Sequence, residues 1–456
     1  MKFYNREKEL QILEKIYASK NKEFLVLYGR RRLGKTRLLK EFSKKYPTLF
    51  FSCPLSTEKE ALRLFQTQMA ESFNEPLLSQ TSFPGWTEAV TYACEKSIQN
   101  NMLIIFDEFP YLMKSVPGID SIIQHLWDNT AHSIKIVLCG SLVSVMLENV
   151  LGSKAPLYGR RTYAIDLSPM SFNDISLFYP KVSFEEYVKW YSFFGGVPAY
   201  AERASKFKDA NSSIIEMVLM TDGNLYHEPE FLVNEGLREP GVYFSVLRSL
   251  AAGNTKPNKI SQDAGVIHSS INKYLDTLRK MHIVEKKIPV TEKNPERSTK
   301  GLYFIKDNFL RFWFRYVFPN KSIIELGKGK ELFYKKIKND LNILTGYVFE
   351  DICHQEIKNR SLDLLGFEAL KIGKYWEKNF EIDIIAEDPF EKHVAFIECK
   401  WNENINIHRI IARLITNSNQ IKYYMGWKKS HFVMSRTVSD HPNNICFRSI
   451  TNSELS

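Results

Sequence analysis

Four short apolar runs mark the first 165 positions of the chain. They cover residues 23–28, 48–53, 101–106 and 134–139, and segments long enough to form helices separate them. Continuous apolar strands that alternate with helices are typical of a parallel sheet buried on both faces. The pattern therefore predicts an α/β domain over residues 1–165.

The hydrophobic pattern changes after this domain. Residues 166–238 have a helical pattern with one break at 195–198, where the sequence reads GGVP. The polar, glycine-containing stretch 327–330 is expected to be a linker. Residues 335–456 begin with a helix and continue with several strands. We therefore predict a helical segment after the first domain and a separate α/β domain at the carboxyl end.

Residues 239–326 predict three helices, a β-hairpin and then an aromatic helix. The third helix has four apolar residues on one face at helical spacing, namely Ile271, Tyr274, Leu275 and Leu278. This order is typical of a winged helix, whose third helix can enter the major groove of DNA. The hairpin loop 293–300 is basic, which agrees with such a role. The same module also serves as a spacer within ATPases, so both roles stay open.

Composition and charge narrow the function classes. The 456 residues are 44% hydrophobic and carry a net charge of +10, which is compatible with contact to DNA without establishing it. The six cysteines are scattered and form no CxxC pair, which argues against a zinc site or a disulfide framework. No apolar run reaches the roughly 18 residues of a membrane span, and the polar start lacks a signal peptide. We expect a cytoplasmic protein without a membrane partner.

Residues 29–36 read GRRRLGKT and match the phosphate-binding pattern GxxxxGK[ST]. The pattern follows an apolar strand and opens a helix, so backbone N–H groups and the helix terminus can hold phosphates. Lys35 would reach the β- and γ-phosphates of ATP, and the Thr36 hydroxyl would bind Mg²⁺. The expected nucleotide-binding residues are Gly29, Arg30, Arg31, Arg32, Leu33, Gly34, Lys35, Thr36 and the following Arg37.

A second nucleotide motif is the apolar strand that ends in Asp107 and Glu108. At this distance from a phosphate-binding loop, Asp107 would hold the Mg²⁺ and Glu108 would orient or deprotonate the attacking water. The pair therefore predicts ATP hydrolysis as well as ATP binding.

Three further segments resemble the prokaryotic, archaeal-type AAA-related ATPases, which are close to the STAND group of signal-transduction ATPases. Residues 3–10 (FYNREKEL) resemble the family's opening, which implies that Arg6 lies near the adenine. Cys139-Gly140-Ser141 resembles the sensor region, which implies that Ser141 lies by the γ-phosphate. Residues 157–161 (LYGRR) resemble the Gly-Arg motif, which makes Arg160 and Arg161 candidate arginine fingers. A solvated basic turn is the alternative for this pair.

Two carboxylates and a lysine are close in sequence in the carboxy-terminal part. Asp383 lies on one predicted strand, and Glu398 and Lys400 share one face of the next. Such carboxylates are costly to bury unless they bind a cation, so Asp383 and Glu398 would hold Mg²⁺, and Lys400 would orient or activate water. The spacing resembles the PD-(D/E)XK nucleases as D-x14-ExK, with Ile382 where many members have proline. The resemblance makes Glu350 the acidic residue of the preceding helix.

The whole chain resembles prokaryotic ATP-binding proteins that combine an ATPase core, a winged helix and a nuclease-related, DUF234-type tail. The expected fold class is α/β, with a P-loop parallel sheet, a helical lid, a winged helix and a restriction-endonuclease-like domain. The expected parts are a P-loop core (1–165), the lid (166–238), the winged helix with the aromatic helix (239–326), and the nuclease-like domain (327–456).

The implied function is an ATPase, with ATP and Mg²⁺, that couples nucleotide state to a DNA-binding and DNA-cleaving tail. One alternative is a STAND-like switch for a protein partner, in which an inactive nuclease-like tail is a binding module. Another is a DNA-binding regulator with slow turnover and no cleavage. Assembly into a homo-oligomer stays open, because an arginine finger can act on a neighbouring copy or within its own chain.

Overall fold

The computed structural model describes residues 3–80, 82–130, 133–237, 239–436 and 444–446. The chain divides into two compact units, of which the first is Met1–Pro169 with Asn234–Arg238 and the second is Met170–Val233 with Glu239–Ser456. The predicted segments that begin at 166, 239 and 327 thus fall for the most part into one unit. The last ten residues of the predicted carboxy-terminal domain lie outside the described residues.

A five-stranded sheet lies at the centre of the first unit, in the order β2-β3-β4-β1-β5 with all neighbouring strands parallel. This confirms the predicted parallel α/β architecture. The sequence pattern missed β5, a four-residue edge strand whose mixed burial carries little apolar signal. The strands are β1 (Glu23–Tyr28), β2 (Thr48–Ser52), β3 (Leu103–Asp107), β4 (Lys135–Gly140) and β5 (Tyr163–Asp166).

Helices cover this sheet and close its core. Aromatic residues of β2, β3 and the adjoining helices pack together, with Phe51, Phe65 and Phe106 in mutual ring contact. Thr57 caps one of these helices by accepting a hydrogen bond from the Glu60 amide. The helices are α1 (Glu7–Ala18), α2 (Lys35–Ser43), α3 (Glu58–Ser72), α4 (Trp86–Gln99), α5 (Phe109–Ser115), α6 (Ile119–Asn129) and α7 (Val143–Val145).

The second unit begins with helices that pack through aromatic side chains. Phe193 contacts Phe312, and Phe194 contacts Phe309, so the predicted aromatic helix is a core element. The helices up to the hairpin are α8 (Phe172–Ile175), α9 (Phe184–Phe194), α10 (Pro198–Ala204), α11 (Ala210–Val218), α12 (Glu228–Gly236, which crosses the chain boundary between the units), α13 (Pro240–Ala251), α14 (Pro257–Ala264) and α15 (Ile271–Lys280).

Three helices and a two-stranded antiparallel hairpin follow one another between residues 240 and 305, in the order predicted from the sequence. The strands β6 (Val284–Lys287) and β7 (Leu302–Ile305) pair in register from Val284↔Ile305 to Lys287↔Leu302. Ile271, Leu275 and Leu278 bury one face of α15, while Lys273 and Lys280 are exposed on the other. The outward face of this helix and the hairpin loop therefore lie open to solvent.

A second five-stranded sheet forms the carboxy-terminal part of the unit, in the order β12-β11-β10-β9-β8. The pairs β8–β9 and β9–β10 are antiparallel, and the pairs β10–β11 and β11–β12 are parallel. The strands are β8 (Lys371–Trp376), β9 (Glu381–Asp388), β10 (His393–Lys400), β11 (Lys428–Ser435) and β12 (Asn444–Cys446), and the helices that follow α15 are α16 (Asn308–Phe312), α17 (Lys321–Glu325), α18 (Gly329–Leu332), α19 (Lys338–Leu365) and α20 (Ile407–Gln420).

The stretch 327–330 is not the linker that its composition suggested. Gly329 is buried as the first residue of α18, and a Cβ atom there would lie 1.7 Å from the Leu219 carbonyl oxygen. The glycine is present because two backbone segments approach closely, which composition alone does not distinguish from flexibility. Among the described residues, no helix combines the length and the apolar character that crossing a membrane requires.

Candidate functional sites

The predicted phosphate-binding loop lies between β1 and α2, at the carboxyl edge of the first sheet. Gly29 has φ +149°, and a Cβ atom there would lie 2.5 Å from the Leu167 carbonyl oxygen, so the position requires glycine. Gly34 has φ +91° and precedes the first helical residue, Lys35. The loop therefore delivers its backbone to the amino terminus of α2, where N–H groups can bind an anion.

The ammonium group of Lys35 is held over this loop. The residue is buried, and its Nζ donates hydrogen bonds to the carbonyl oxygens of Gly29 at 2.7 Å and Arg30 at 3.0 Å. Burial lowers the pKa of Lys35, and nearby negative groups, among them Glu108 and Asp107, oppose this shift. A phosphate group placed on the loop would add the negative charge that stabilises the ammonium form.

Asp107 and Thr36 contribute the groups that could hold Mg²⁺. Asp107 ends β3 and is 1% exposed, and its Oδ1 atom has no hydrogen-bond partner among the described residues. A buried carboxylate oxygen without a partner is costly, and a divalent cation would relieve that cost. Thr36 lies in the first turn of α2. The donor set at this edge of the sheet therefore suits a magnesium ion.

Glu108 is positioned by Ser141, which follows β4. Oε2 of Glu108 accepts hydrogen bonds from the backbone N–H of Ser141 at 3.1 Å and from its hydroxyl at 2.7 Å. Glu108 itself has φ +57°, a conformation that few non-glycine residues adopt. Because β3 and β4 are neighbours, their carboxyl ends bring together two residues that are 33 positions apart.

The arginines predicted around the nucleotide have different surroundings. Arg6 is buried and donates to the Ser168 carbonyl oxygen at 2.7 Å. Arg160 is engaged within its own chain, since its Nε and Nη2 donate to the two carboxylate oxygens of Asp128 at 2.8 and 2.7 Å. The two candidate arginine fingers therefore differ. Arg161 is exposed, and no ion pair of its side chain is found in the described residues, whereas Arg160 is paired with Asp128.

The remaining loop residues line the strand-to-helix turn. Arg31 donates a hydrogen bond to the Tyr111 hydroxyl. Arg32 has φ +69°, Arg30 and Leu33 are buried, and Arg37 is half-buried in the first turns of α2.

The predicted carboxylates and lysine of the tail come together on the second sheet. Asp383 lies on β9, and Glu398 and Lys400 lie on β10. Lys400 Nζ donates to Glu398 Oε2 at 2.7 Å and lies 3.7 Å from Asp383 Oδ2. The backbone N–H of Cys399 donates to the same Asp383 oxygen at 2.9 Å. The three side chains therefore form one contiguous charged cluster.

A second lysine, which the sequence did not single out, completes this cluster. Lys374 Nζ on β8 lies 3.2 Å from Glu350 Oε2, 3.7 Å from Glu381 Oε2 and 3.8 Å from Asp383 Oδ1. It connects the helical acidic residue Glu350 of α19 with the sheet. The β8–β9 register shifts between Gly373 and Tyr375, so strand alternation could not have assigned Lys374 to this face.

The electrostatics of the cluster differ between its acids and its bases. Burial and the negative charge of Asp383 raise the pKa of both Glu350 and Glu398 to about 7. Burial opposes the charged form of Lys400, but Asp383 and Glu398 outweigh it and raise its pKa. Both glutamates would therefore be stabilised by additional positive charge.

Few side chains of this cluster could bind a metal ion. Across the residues that the structure describes, no group of three or more histidine, cysteine, aspartate and glutamate side chains is arranged as a metal site. Asp383 and Glu398 are two carboxylates that meet at Lys400. Mg²⁺ is commonly bound through one or two carboxylates and several waters, so this donor set fits it.

Comparison with known proteins extends over both units. The profile of a family described as "ATPase domain predominantly from Archaea" matches residues 3–204. The profile of DUF234, described as "Archaea bacterial proteins of unknown function", matches residues 313–411. An uncharacterised protein of Methanocaldococcus jannaschii is 33% identical over 453 residues, which are 97% of this chain and 98% of that protein.

Two further similarities are shorter or more distant. An uncharacterised ATP-binding protein of the same organism is 48% identical over 40 residues, 9% of this chain and 68% of that protein. The solved structure of a Walker-type ATPase of Pyrococcus abyssi aligns with a TM-score of 0.54 at 18% identity, over 69% of this chain and 96% of that chain. At 18% identity, the similarity to the Pyrococcus abyssi ATPase shows a shared fold.

Replacing Lys35 tests the phosphate-binding loop. We expect Lys35→Ala to weaken MgATP binding at least about tenfold, because it removes charge-assisted hydrogen bonds to phosphate oxygens. Isothermal titration calorimetry measures the affinity. Lys40→Ala, which removes an exposed lysine from the same helix, is the control and should bind as the wild type does. Unchanged affinity in folded Lys35→Ala would contradict the assignment.

Proposed function

Because the chain belongs to the archaeal-type ATPases that carry a DUF234 carboxy-terminal domain, and is an ATPase, we propose that it couples ATP hydrolysis to the binding and cutting of DNA. The observation that carries the nucleic-acid part is the contact of the Lys400 ammonium with both Asp383 and Glu398. We also propose that the four sequence segments, from the P-loop core to the nuclease-like domain, correspond to separate functional parts.

In the ATPase part, each residue at the sheet edge has a distinct role. Backbone N–H groups of the loop and Lys35 bind the phosphates, and Thr36 and Asp107 would hold Mg²⁺, which neutralises charge on the phosphates. Glu108 orients the attacking water and takes its proton. Its hydrogen bonds to Ser141 keep it in one position, so Ser141 contributes to hydrolysis by placing the base. Arg161 is the better candidate for a finger, because Arg160 is paired with Asp128.

Replacing Glu108 separates binding from hydrolysis. We expect Glu108→Gln to keep MgATP affinity within about twofold while turnover falls about a hundredfold or more, which is the scale of losing a general base. Phosphate release measured under steady-state conditions gives the turnover. Glu95→Gln, an exposed glutamate of α4, is the matched control. Wild-type turnover in Glu108→Gln would assign the base to another residue.

The winged-helix part supplies the DNA-binding surface in this proposal. The exposed face of α15 carries Lys273 and Lys280, and the hairpin loop adds Lys293 and Arg297, all of them exposed. A helix in the major groove and a basic loop on the backbone is the usual docking of such a module. Lysines at these positions would contact phosphates and give affinity rather than sequence specificity.

Removing two lysines of α15 tests this surface. We expect Lys273→Ala/Lys280→Ala to weaken binding to duplex DNA and to lower the slope of log affinity against log salt by about 0.9 for each phosphate that the variant no longer neutralises. Fluorescence anisotropy over a range of salt concentrations measures both quantities. Lys335→Ala/Lys338→Ala, which removes two exposed lysines elsewhere, should leave the slope unchanged. Equal slopes for the two double variants would exclude α15 as the DNA-binding helix.

The tail site is proposed to hydrolyse a phosphodiester bond. Asp383 and Glu398, with the carbonyl of Cys399, would hold Mg²⁺, which supplies charge neutralisation and a Lewis acid. Lys400 orients the attacking water, whose oxygen bonds to phosphorus as the bond to the leaving oxygen breaks. The proton of that water passes to solvent, and the leaving oxygen takes up a proton from solvent. Glu350, through Lys374, keeps the cluster in place.

A second candidate function is supported by Lys374. Both Lys374 and Lys400 lie within 3.8 Å of Asp383, so two ammonium groups offset its charge without a metal ion. In that case the tail is a binding module that no longer cuts, and ATP binding reorganises the chain for a protein partner. Metal binding at the tail distinguishes the two candidates.

Metal titration of the tail decides between cutting and binding. In the full-length chain with Asp107→Asn, which removes the carboxylate assigned to the metal of the ATPase part, we expect a further Asp383→Asn change to weaken Mn²⁺ binding at least about tenfold. We expect Lys400→Met to keep Mn²⁺ affinity and to stop DNA cleavage, because a protonated lysine is not a metal ligand. Electron paramagnetic resonance of free Mn²⁺ and gel assays of DNA measure these effects.

Glu391→Gln, an exposed residue of the turn between β9 and β10, is the control for the loss of one acidic side chain. If the parent chain binds no Mn²⁺ at millimolar concentration and cuts no DNA, the binding-module function is the correct one.

A further inference from the structure

A cavity of about 150 Å³ lies beside the charged cluster of the second unit. Residues of α13, the β6–β7 hairpin, α19 and β8 line it, so it is formed where the predicted winged helix meets the carboxy-terminal sheet domain within this unit. Glu350 and Lys374 belong both to the cavity and to the cluster around Asp383. The cavity therefore adjoins the candidate cleavage site through Glu350 and Lys374.

Cationic side chains outnumber acidic ones among the residues that line the cavity. Four cationic side chains line it, those of Lys287, Arg311, Arg315 and Lys374, against two acidic ones, Glu350 and Asp351. Asp351 is paired with Lys287 at 3.0 Å and with Arg311 at 3.6 Å. Lys287 also lies 3.1 Å from Glu285, and Lys374 is paired with Glu350 and Asp383, so Arg315 is the cation of the lining for which no ion pair is found among the described residues. Its guanidinium group suits an anion such as a phosphate.

Arg311 supplies the sharpest sign of a ligand. Its Nε and Nη2 donate to the Ile305 carbonyl oxygen, at 3.2 and 2.7 Å, while its Nη1 is buried with no hydrogen-bond partner in the described part of the chain. A buried guanidinium donor without an acceptor is costly, and a phosphate oxygen would satisfy it. Arg315, whose Nε donates to the Tyr316 hydroxyl, adds a second guanidinium to the same wall.

Apolar and aromatic side chains also line the cavity. Tyr347 of α19 is 54% exposed, and Leu250, Phe304 and Ile343 surround the same space. An exposed tyrosine beside aliphatic side chains can stack on a nucleobase, whereas an inorganic anion gains nothing from it. A cavity that offers both guanidinium groups and an aromatic ring is complementary to a nucleotide, whose phosphate is anionic and whose base is aromatic.

We propose that this cavity binds the nucleotide that flanks the reacting phosphodiester of a nucleic-acid strand. Its phosphate lies against Arg311, Arg315 and Lys374, and its base stacks on Tyr347. Lys374 reaches both Glu350 and Asp383, so it sets the distance between the bound nucleotide and the cluster. This inference rests on the proposed nucleic-acid function of the tail, and it names the positioning residues for the strand.

Titration of the full-length chain with thymidine monophosphate tests the cavity. The Lys35→Ala chain, whose phosphate-binding loop has lost its lysine, serves as the wild-type background for this experiment, and calorimetry measures the remaining site. We expect Arg315→Gln to weaken binding of both thymidine monophosphate and inorganic phosphate at least about tenfold. Tyr347→Ala should weaken the nucleotide at least about fivefold and leave phosphate unchanged, because stacking involves only the base. Since Tyr347 is exposed, its loss leaves the fold intact.

Lys335→Gln, which removes an exposed charge outside the cavity, is the control and should bind as the wild type does. No binding of thymidine monophosphate, or equal affinity in wild type and Arg315→Gln, would overturn the proposal. Phosphate binding as tight as the nucleotide would overturn the role of Tyr347. The two proposals fail separately. A chain that cuts DNA but does not bind thymidine monophosphate lacks this subsite, and one that binds it through Arg315 and Tyr347 without cutting lacks only the cleavage.

Discussion

Asp383 lies almost buried between two ammonium groups, Lys374 on one side and Lys400 on the other, and the arrangement of the second unit's charged cluster depends on it. A carboxylate removed from water must be paired or hydrogen-bonded. Asp383 meets this requirement through both lysines and the Cys399 N–H. Because these partners come from β8 and β10, on either side of β9, the pairing of three strands fixes the geometry of the cluster.

The same requirement applies in the first unit, where the buried charge is positive. There the buried group is the Lys35 ammonium, whose hydrogen bonds the loop's own carbonyl oxygens accept, while the carboxylate of Asp107 retains an oxygen for which the described residues offer no partner. A nucleotide with Mg²⁺ would satisfy both groups at once, because phosphate oxygens meet the lysine and the cation meets the aspartate. Each unit thus contains a buried charged group with an atom that lacks a hydrogen-bond partner among the described residues. In the first unit this atom is Oδ1 of Asp107, and in the second it is Nη1 of Arg311.

The sequence predicted the features that are contiguous or strictly periodic. The phosphate-binding loop is eight successive residues, and the four apolar strands need no partner to be recognised. Asp383, Glu398 and Lys400 could be grouped because two neighbouring strands carry them. Lys374 could not be grouped with them, because an irregularity in the β8–β9 register determines which face of the sheet it lies on. The Glu108–Ser141 contact could not be predicted either, because it depends on the order of the strands in the sheet. The linker predicted at Gly329 was wrong for a related reason, because glycine is typical both of flexible segments and of places where two backbone segments approach closely.

Charge balance in the tail cluster decides how the two candidate functions differ physically. Glu350, Glu381, Asp383 and Glu398 face Lys374 and Lys400, so the fully ionised cluster has two negative charges in excess. Burial and the negative charge of Asp383 raise the pKa of both Glu350 and Glu398 to about 7. With a folded pKa above the unfolded value, protons bind the folded chain more tightly, so their stabilising effect is full below about pH 4 and is lost as pH rises towards 7. A divalent cation would supply the same charge at neutral pH without a proton. If the cluster binds a metal ion, the ion therefore stabilises it near neutral pH, where the glutamates have lost their protons. If the cluster is purely structural, its contribution to stability is smallest at that pH.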